Sequence, residues 1–419
     1  MFNLRITLFV FFTIANVVFS HDSLGLESVL LKKEKDIYNL GFNLEILEDK
    51  TKKLTFEEVN SPEYENKFIT SKDKIPSFGM SNSAFWIKFN LENISHRSKE
   101  WLISFEQVWC DYLDFYKKVD GKWESIKTGD RRAFDSRPIE NRNFVFKIIP
   151  DQKSTFFMRI QSNDGIQIPL KLFSASSFLK EESFTMLWFG LFYGIMLVMI
   201  IYNLFVFFST RSVSYLYYVF YIASYILFNM AANGLGFQFL YPDWIWFQNE
   251  GFFFRASLVA TSLIFFTINY LGVNDSTPRI YKAFKFYAYV AIVFITSSFL
   301  PFYKYLLVPL YLFCVSGFSF FIFVGVYKLK MNYRPARYYL LAFIFLTMGG
   351  IVSIAQMNGF LPPWFIFLNA FQIGGVFEVV LLSLGLADII NSLLEENVKA
   401  NQKLEEINLH LEEKVKQRT

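Results

Sequence analysis

One carboxylate stands out for where it lies. Glu378 sits in GGVFEVVLLSLGLADII, near the middle of an apolar stretch long enough to cross a bilayer. A charge there costs on the order of 3 kcal/mol, so the side chain must face other helices and find a partner or a proton. Two roles stay open for it. It is either a polar switch, whose hydrogen bonds differ between two packings of its helix, or a static bond to an Asn, Gln or Tyr on a neighbour. At helical spacing it shares a face with Ala370, Gly374 and Gly385, small residues that let another helix approach closely. Asn203, Asn229, Gln356, Asn369 and Gln372 add further polar groups to apolar runs, read as packing hydrogen bonds or as the lining of a small-ligand cavity. Gly190 and Gly194 form a GxxxG step, expected to pack inside a helix bundle rather than to dimerise. Arg255 lies near the end of its run and is expected to snorkel to the interface.

A second set of candidates lies nearer the N-terminus. In AFWIKFNLEN, Phe85, Ile87, Phe89 and Leu91 fall on one face of a strand, and Trp86, Lys88 and Asn90 on the other. A tryptophan on that polar face would stack on a sugar ring or another apolar ligand. Trp101, Trp109 and Trp123 would extend it into an aromatic platform. The alternative is that these rings close the edge of the domain or meet the membrane.

Other chemistries are excluded. The seventh apolar run holds no lysine for a retinal Schiff base, and His21, His96 and His410 all lie outside the apolar runs. No HExxH, phosphate-binding Gly loop, GxSxG elbow or defensible carboxylate pair occurs. Cys110 and Cys314 fall in different segments, without metal-ligand spacing, and each reads as a small buried apolar residue. No metal or cofactor is expected. The net charge of +4 leaves no basic footprint for nucleic acid.

The elements that must position these residues follow from composition. The chain has 419 residues, 53% of them apolar and 20% aromatic, with only 19% charged. That balance marks a membrane protein. Residues 1–20 read as a signal peptide cleaved near Ser20, the other reading being a retained first membrane helix. Residues 21–183 form an exported block of short alternating strands separated by turns such as VDGKW and SNDG, which predicts a β-sandwich of jelly-roll type. Within 184–388 seven apolar runs follow, at 185–208, 213–232, 251–271, 284–300, 305–327, 337–358 and 364–388. Each is near the ~20 residues that span a bilayer. Loops on one side hold Arg211, Arg279, Lys282, Lys285, Lys328, Lys330, Arg334 and Arg337, against Lys304 on the other, which predicts an outer β-domain and an inner C-terminus.

Residues 389–419 continue the last run as a coiled coil. Leu386, Leu393, Ala400 and Ile407 take d positions, and Ile390, Asn397, Leu404 and Leu411 take a positions. A single Asn at an a position favours a register-locked parallel dimer. Past Leu411 the d slot falls on Lys414, and the phase slips there.

Taken in order, these segments resemble the bacterial seven-transmembrane receptors with diverse intracellular signalling modules, including their type 2 extracellular domain. FWIKFNLEN, LDFYKKVDGKW, SRP and PLKLFSASSF carry the likeness in the β-domain. FGLFYGIMLVMIIYNLFVFFSTRSVSYLYY and GGVFEVVLLSLGLADII carry it in the membrane, with Ile389 where the family often has a basic residue. The resemblance implies a carbohydrate-binding-like jelly roll, adds Arg137 to the ligand-contact set, and places the protein in a bacterial inner membrane. It implies a small-molecule or carbohydrate ligand on the periplasmic side, contact with membrane lipid, a homodimer and a cytoplasmic effector. No catalytic domain is expected within these residues, though a kinase or cyclase is expected to follow in a longer chain. The competing expectation is a seven-helix transporter with an accessory outer domain.

Overall fold

The computed structural model describes residues 28–416 apart from 95–99, 164, 274–276, 301–302, 358–359 and 363. The signal peptide expected at 1–20 lies outside the described residues. The β-domain comprises two main sheets. In the larger, β6 (Ala84–Asn93) and β11 (Lys153–Gln161) lie at the centre. They are flanked by β3 (Glu45–Asp49) and β4 (Ile69–Thr70) on one side and by β8 (Tyr112–Val119) and β9 (Lys122–Thr128) on the other. The short β1 (Val29–Leu31) runs parallel to β6. The smaller sheet has the order β10 (Phe144–Ile148), β7 (Trp101–Phe105), β13 (Leu170–Ser174) and β2 (Ile37–Asn39). A third pair, β5 (Ser77–Met80) and β12 (Gly165–Gln167), closes one end.

Alternation in β6 works as predicted on its inner face. Phe85, Ile87, Phe89 and Leu91 are all buried against Ile103, Phe105, Phe144, Phe146 and Leu172 of the smaller sheet. Its other face is not the open polar surface expected. Residues 50–68 leave β3 at a turn fixed by Asp49, whose Oδ1 accepts from the amides of Thr51 and Lys52 at 3.0 and 2.9 Å. The chain then forms two short helices, Phe56–Val59 and Pro62–Glu65, over the sheet. Thr55 and Glu58 make a reciprocal capping box at the start of the first. Phe56 stacks on Tyr116 at 4.4 Å and meets Trp123 edge-on at 5.0 Å. The sheet therefore carries a second small core on its outer side.

Seven helices long and apolar enough to cross a membrane follow among the described residues. They are α1 (Ala175–Thr210), α2 (Val213–Ala232), α3 (Gly251–Tyr270), α4 (Pro278–Ser297), α5 (Leu307–Lys330), α6 (Ala336–Met357) and α7 (Ala370–Lys416). There is no linker between domains: β13 ends at Ser174 and α1 begins at Ala175. Ser174 caps α1 by accepting from the Ser177 amide, and the Ser177 hydroxyl donates to Asp36 O at 3.0 Å. Lys171 then joins Glu106 at 2.9 Å and Glu181 on α1 at 3.3 Å. The first helix thus starts well before position 185 and is clamped to the sandwich. At the other end α7 runs as one helix from the membrane block into the charged tail.

Candidate functional site

The site is built around α7, whose small residues let neighbouring helices come close. A Cβ on Gly374 would lie 2.6 Å from the Phe345 carbonyl oxygen of α6. A Cβ on Gly375 would collide with the Tyr225 hydroxyl of α2. Two adjacent glycines therefore seat α7 between α6 and α2, and Glu378 follows one turn on, fully buried.

The partner of Glu378 is Tyr221, whose hydroxyl donates to Oε1 at 2.7 Å. Oε2 is buried without a hydrogen-bond partner among the described residues. Tyr218 donates to the carbonyl of Val379, the next residue of α7. Tyr218, Tyr221 and Tyr225 recur at helical spacing and line one face of α2. Polar contacts continue along α7 in both directions. Towards the β-domain, Gln372 Oε1 accepts from the Trp188 indole of α1 at 2.7 Å, and its amide donates to Asn233 Oδ1 at 3.2 Å. Towards the other end, Asn203 of α1 and Ser383 of α7 share contacts at 3.4 Å. Arg337 of α6 then approaches Asp388 at 3.6 Å. In sequence order Gln372, Glu378, Val379, Ser383 and Asp388 form a polar ladder that ties α7 to α1, α2 and α6.

The upper rung reaches the β-domain. Asn233 caps α2, and its side-chain amide also donates to Tyr193 of α1 at 3.0 Å. Immediately before it, the carbonyl of Ala232 accepts from the Trp109 indole of the β-domain at 3.1 Å. Gly234 turns with φ +77° and presses on Val108, so a side chain there would clash. Nearby, Arg131 bridges Asp111 at 3.2 Å and Glu250, just before α3, at 2.7 Å. The Asn249 amide donates to Asp130 O at 2.9 Å, and Phe134 meets Phe237 edge-on at 5.6 Å. Charge-assisted and aromatic contacts in one patch make the two domains a continuous packed body.

The residues singled out for ligand contact do not form a platform. Trp86 is fully buried in the small outer core with Phe157 and Val59, because the 50–68 excursion covers the strand face that alternation assigned to solvent. Trp123 borders the same cluster. Trp101 lies in the main core, edge-on to Tyr38 at 5.7 Å. Trp109 is 41% exposed and hydrogen-bonded to the membrane block. Arg137 is buried at the domain interface rather than open to ligand. Its guanidinium lies over Phe144 and Phe134 at 4.2 and 4.6 Å and donates to the carbonyls of Asn141 and Arg142 at 2.8 and 2.6 Å. Burial pushes it down to about 10, which leaves it charged at neutral pH.

In the membrane block the candidates also divide. Gly374, Glu378 and Asn203 meet along α7. Gly190 and Gly194 do not: a Cβ on either would meet nothing within 4 Å, and both are exposed. The expected packing of this GxxxG step inside the bundle is overturned, since α1 turns its buried face, with Phe192, Met196 and Asn203, the other way. Arg255 does not snorkel outward either. It is buried and donates to the carbonyls of Phe247 and Gln248, closing the loop before α3. Asn397, Leu404, Ile407 and Leu411 are exposed along the α7 extension. The sequence reading missed the tyrosine face of α2 as the partner of α7. The spacing of Tyr218, Tyr221 and Tyr225 was its available signal.

A β-sandwich fused directly to seven apolar helices defines a multi-pass membrane protein with a folded domain outside the membrane. Residues 185–388 match the family described as 7TM diverse intracellular signalling, and residues 41–174 match 7TMR-DISM extracellular 2. The chain belongs to this family of seven-transmembrane receptors with an extracellular domain and a signalling role. Comparison with curated proteins gives no match.

Proposed function

We propose that the protein is a sensory receptor in which the β-domain, facing the periplasm across a bacterial inner membrane, reports ligand state to α7. The ligand is a small molecule or carbohydrate. The C-terminal extension of α7 pairs with a second copy as a parallel coiled coil and drives a cytoplasmic effector, fused or separate. These residues carry no catalysis of their own. The loop cations named above support an inner C-terminus.

One observation carries the reading. A continuous run of contacts leads from Trp109 through Ala232 and Asn233 to Gln372, and from there α7 passes without a break into the heptad positions. A change in how the β-domain sits on the α2 end would thus bear on a helix whose far end is the output. Ligand shifts that output only by the difference in its affinity for the two packings. The test is a chimera with an adenylate cyclase module fused after Thr419, with and without a Gly-rich break within 390–411. The break should uncouple cyclase activity from substitutions at Trp109. Activity that follows those substitutions equally in both chimeras would remove α7 from the route.

A further inference from the structure

We propose that the helix bundle holds a second ligand site, within the membrane, for a compact apolar molecule about the size of a single aromatic or alicyclic ring. A cavity of ≈ 190 Å³ lies between α2, α3, α5 and α6, with one ring each from α4 and α7 at its rim. An apolar cavity of about 150 Å³ is large enough to take up benzene or xenon. Folded interiors otherwise leave few voids larger than a water molecule, so a space of this size, even open in part, leaves its lining short of dispersion contacts while empty.

The lining says what fits. Small residues on facing helices, Ala256 and Ala260 on α3 and Gly317 on α5, make the space, and the rings of Phe318 and Phe321 help to wall it. Water gains little there, because it needs two to four polar partners. Of the three tyrosines in the wall, Tyr221 turns its hydroxyl to Glu378 and Tyr225 turns its own towards Gly375. Seven of the sixteen lining residues are buried and nine half-buried, so the cavity is open in part, and a small molecule dissolved in the bilayer core can reach it. A volume of ≈ 190 Å³ takes one ring and not the whole of a lipid acyl chain. An occupant would lie against the Tyr221 ring, one hydrogen bond away from Glu378 on α7. The site takes its ligand from the membrane, separately from the β-domain, and its occupancy does not depend on the relay.

A photoactivated carbene reads the cavity without needing a reactive side chain there. The full chain in phosphatidylcholine nanodiscs would be photolabelled with a phenyl diazirine across a fluorobenzene titration, with 19F NMR of fluorobenzene against empty nanodiscs. Saturable binding should appear, and labelling of Phe318 and Phe321 in the cavity wall should fall about tenfold at ten times the Kd. Gly317→Leu should abolish both effects; a Cβ there makes only ordinary contact with Tyr287, at 3.7 Å. Ala260→Leu fills the space from the opposite helix and should do the same. Wild-type protein with no saturable binding or no protection overturns the proposal. So does protection that persists in either filled variant. A diazirine-bearing phosphatidylcholine that labels Phe318 and is not displaced by fluorobenzene would make the cavity an acyl-chain slot, and overturns it too.

Discussion

The pairing of Tyr221 with Glu378 gives the sharpest energetic prediction. Tyr221→Phe removes the hydrogen bond to Oε1, and Oε2 already has no partner among the described residues. The carboxyl would then be buried with neither oxygen bonded by a side chain. Leaving a buried polar group unsatisfied costs about 1–3 kcal/mol, so this variant should lose roughly 2 kcal/mol. Glu378→Met keeps the volume but orphans the phenol, and should cost about 1–3 kcal/mol. Replacing both partners leaves nothing unsatisfied, so the double variant should be more stable than the sum of the singles by at least about 1 kcal/mol. Reversible unfolding in mixed SDS–detergent micelles measures all four proteins. Singles that each cost under about 0.5 kcal/mol, or a double variant equal to their sum, would refute the view of Glu378 as a paired group holding α7.

Other outcomes follow from the same contacts. Gly374→Ala presses a methyl on the Phe345 carbonyl oxygen of α6, and should lower stability by about 1–3 kcal/mol in the same assay. Trp86→Ala should destabilise the β-domain by about 3–5 kcal/mol, seen as faster proteolysis there, because the ring is core and not ligand surface. Arg131→Ala leaves Asp111 and Glu250 without their bridge, and should loosen the interface by about 1.5–3 kcal/mol, read as raised hydrogen exchange at 249–254. Gly194→Leu meets open space on the outer face of α1 and removes a glycine from the helix interior, so it should leave stability unchanged or raise it by up to about 1 kcal/mol.

Where the sequence was legible, a local period carried the information. The inner face of β6 was set by alternation, and the seven helices by the length of apolar runs. Glu378 was conspicuous because charge in hydrocarbon is costly, and its need for a tyrosine, Asn or Gln partner followed from that cost. What failed depended on segments distant in sequence. Trp86 looked exposed because one strand carries no sign of the 50–68 excursion that covers it. Arg137 and Trp109 serve the domain interface, and nothing in their own segments announces the end of α2 and the loop after it that they meet. GxxxG marks a helix that can pack closely, but not which side it turns to its neighbours. Gly190 and Gly194 therefore ended on the outside while Gly374 and Gly375 carried the packing.

The claim that matters most is that the β-domain and α7 form one coupled unit. Hydrogen–deuterium exchange on the full chain in nanodiscs, comparing wild type with Trp109→Ala, tests it across the membrane. The substitution removes the indole bond to Ala232 O and touches no residue of α7. The expected result is altered exchange in 386–400, at the far end of α7, together with the local change around 232–238. Exchange that changes around 232–238 and stays at wild-type rates throughout 386–400 would contradict the coupling.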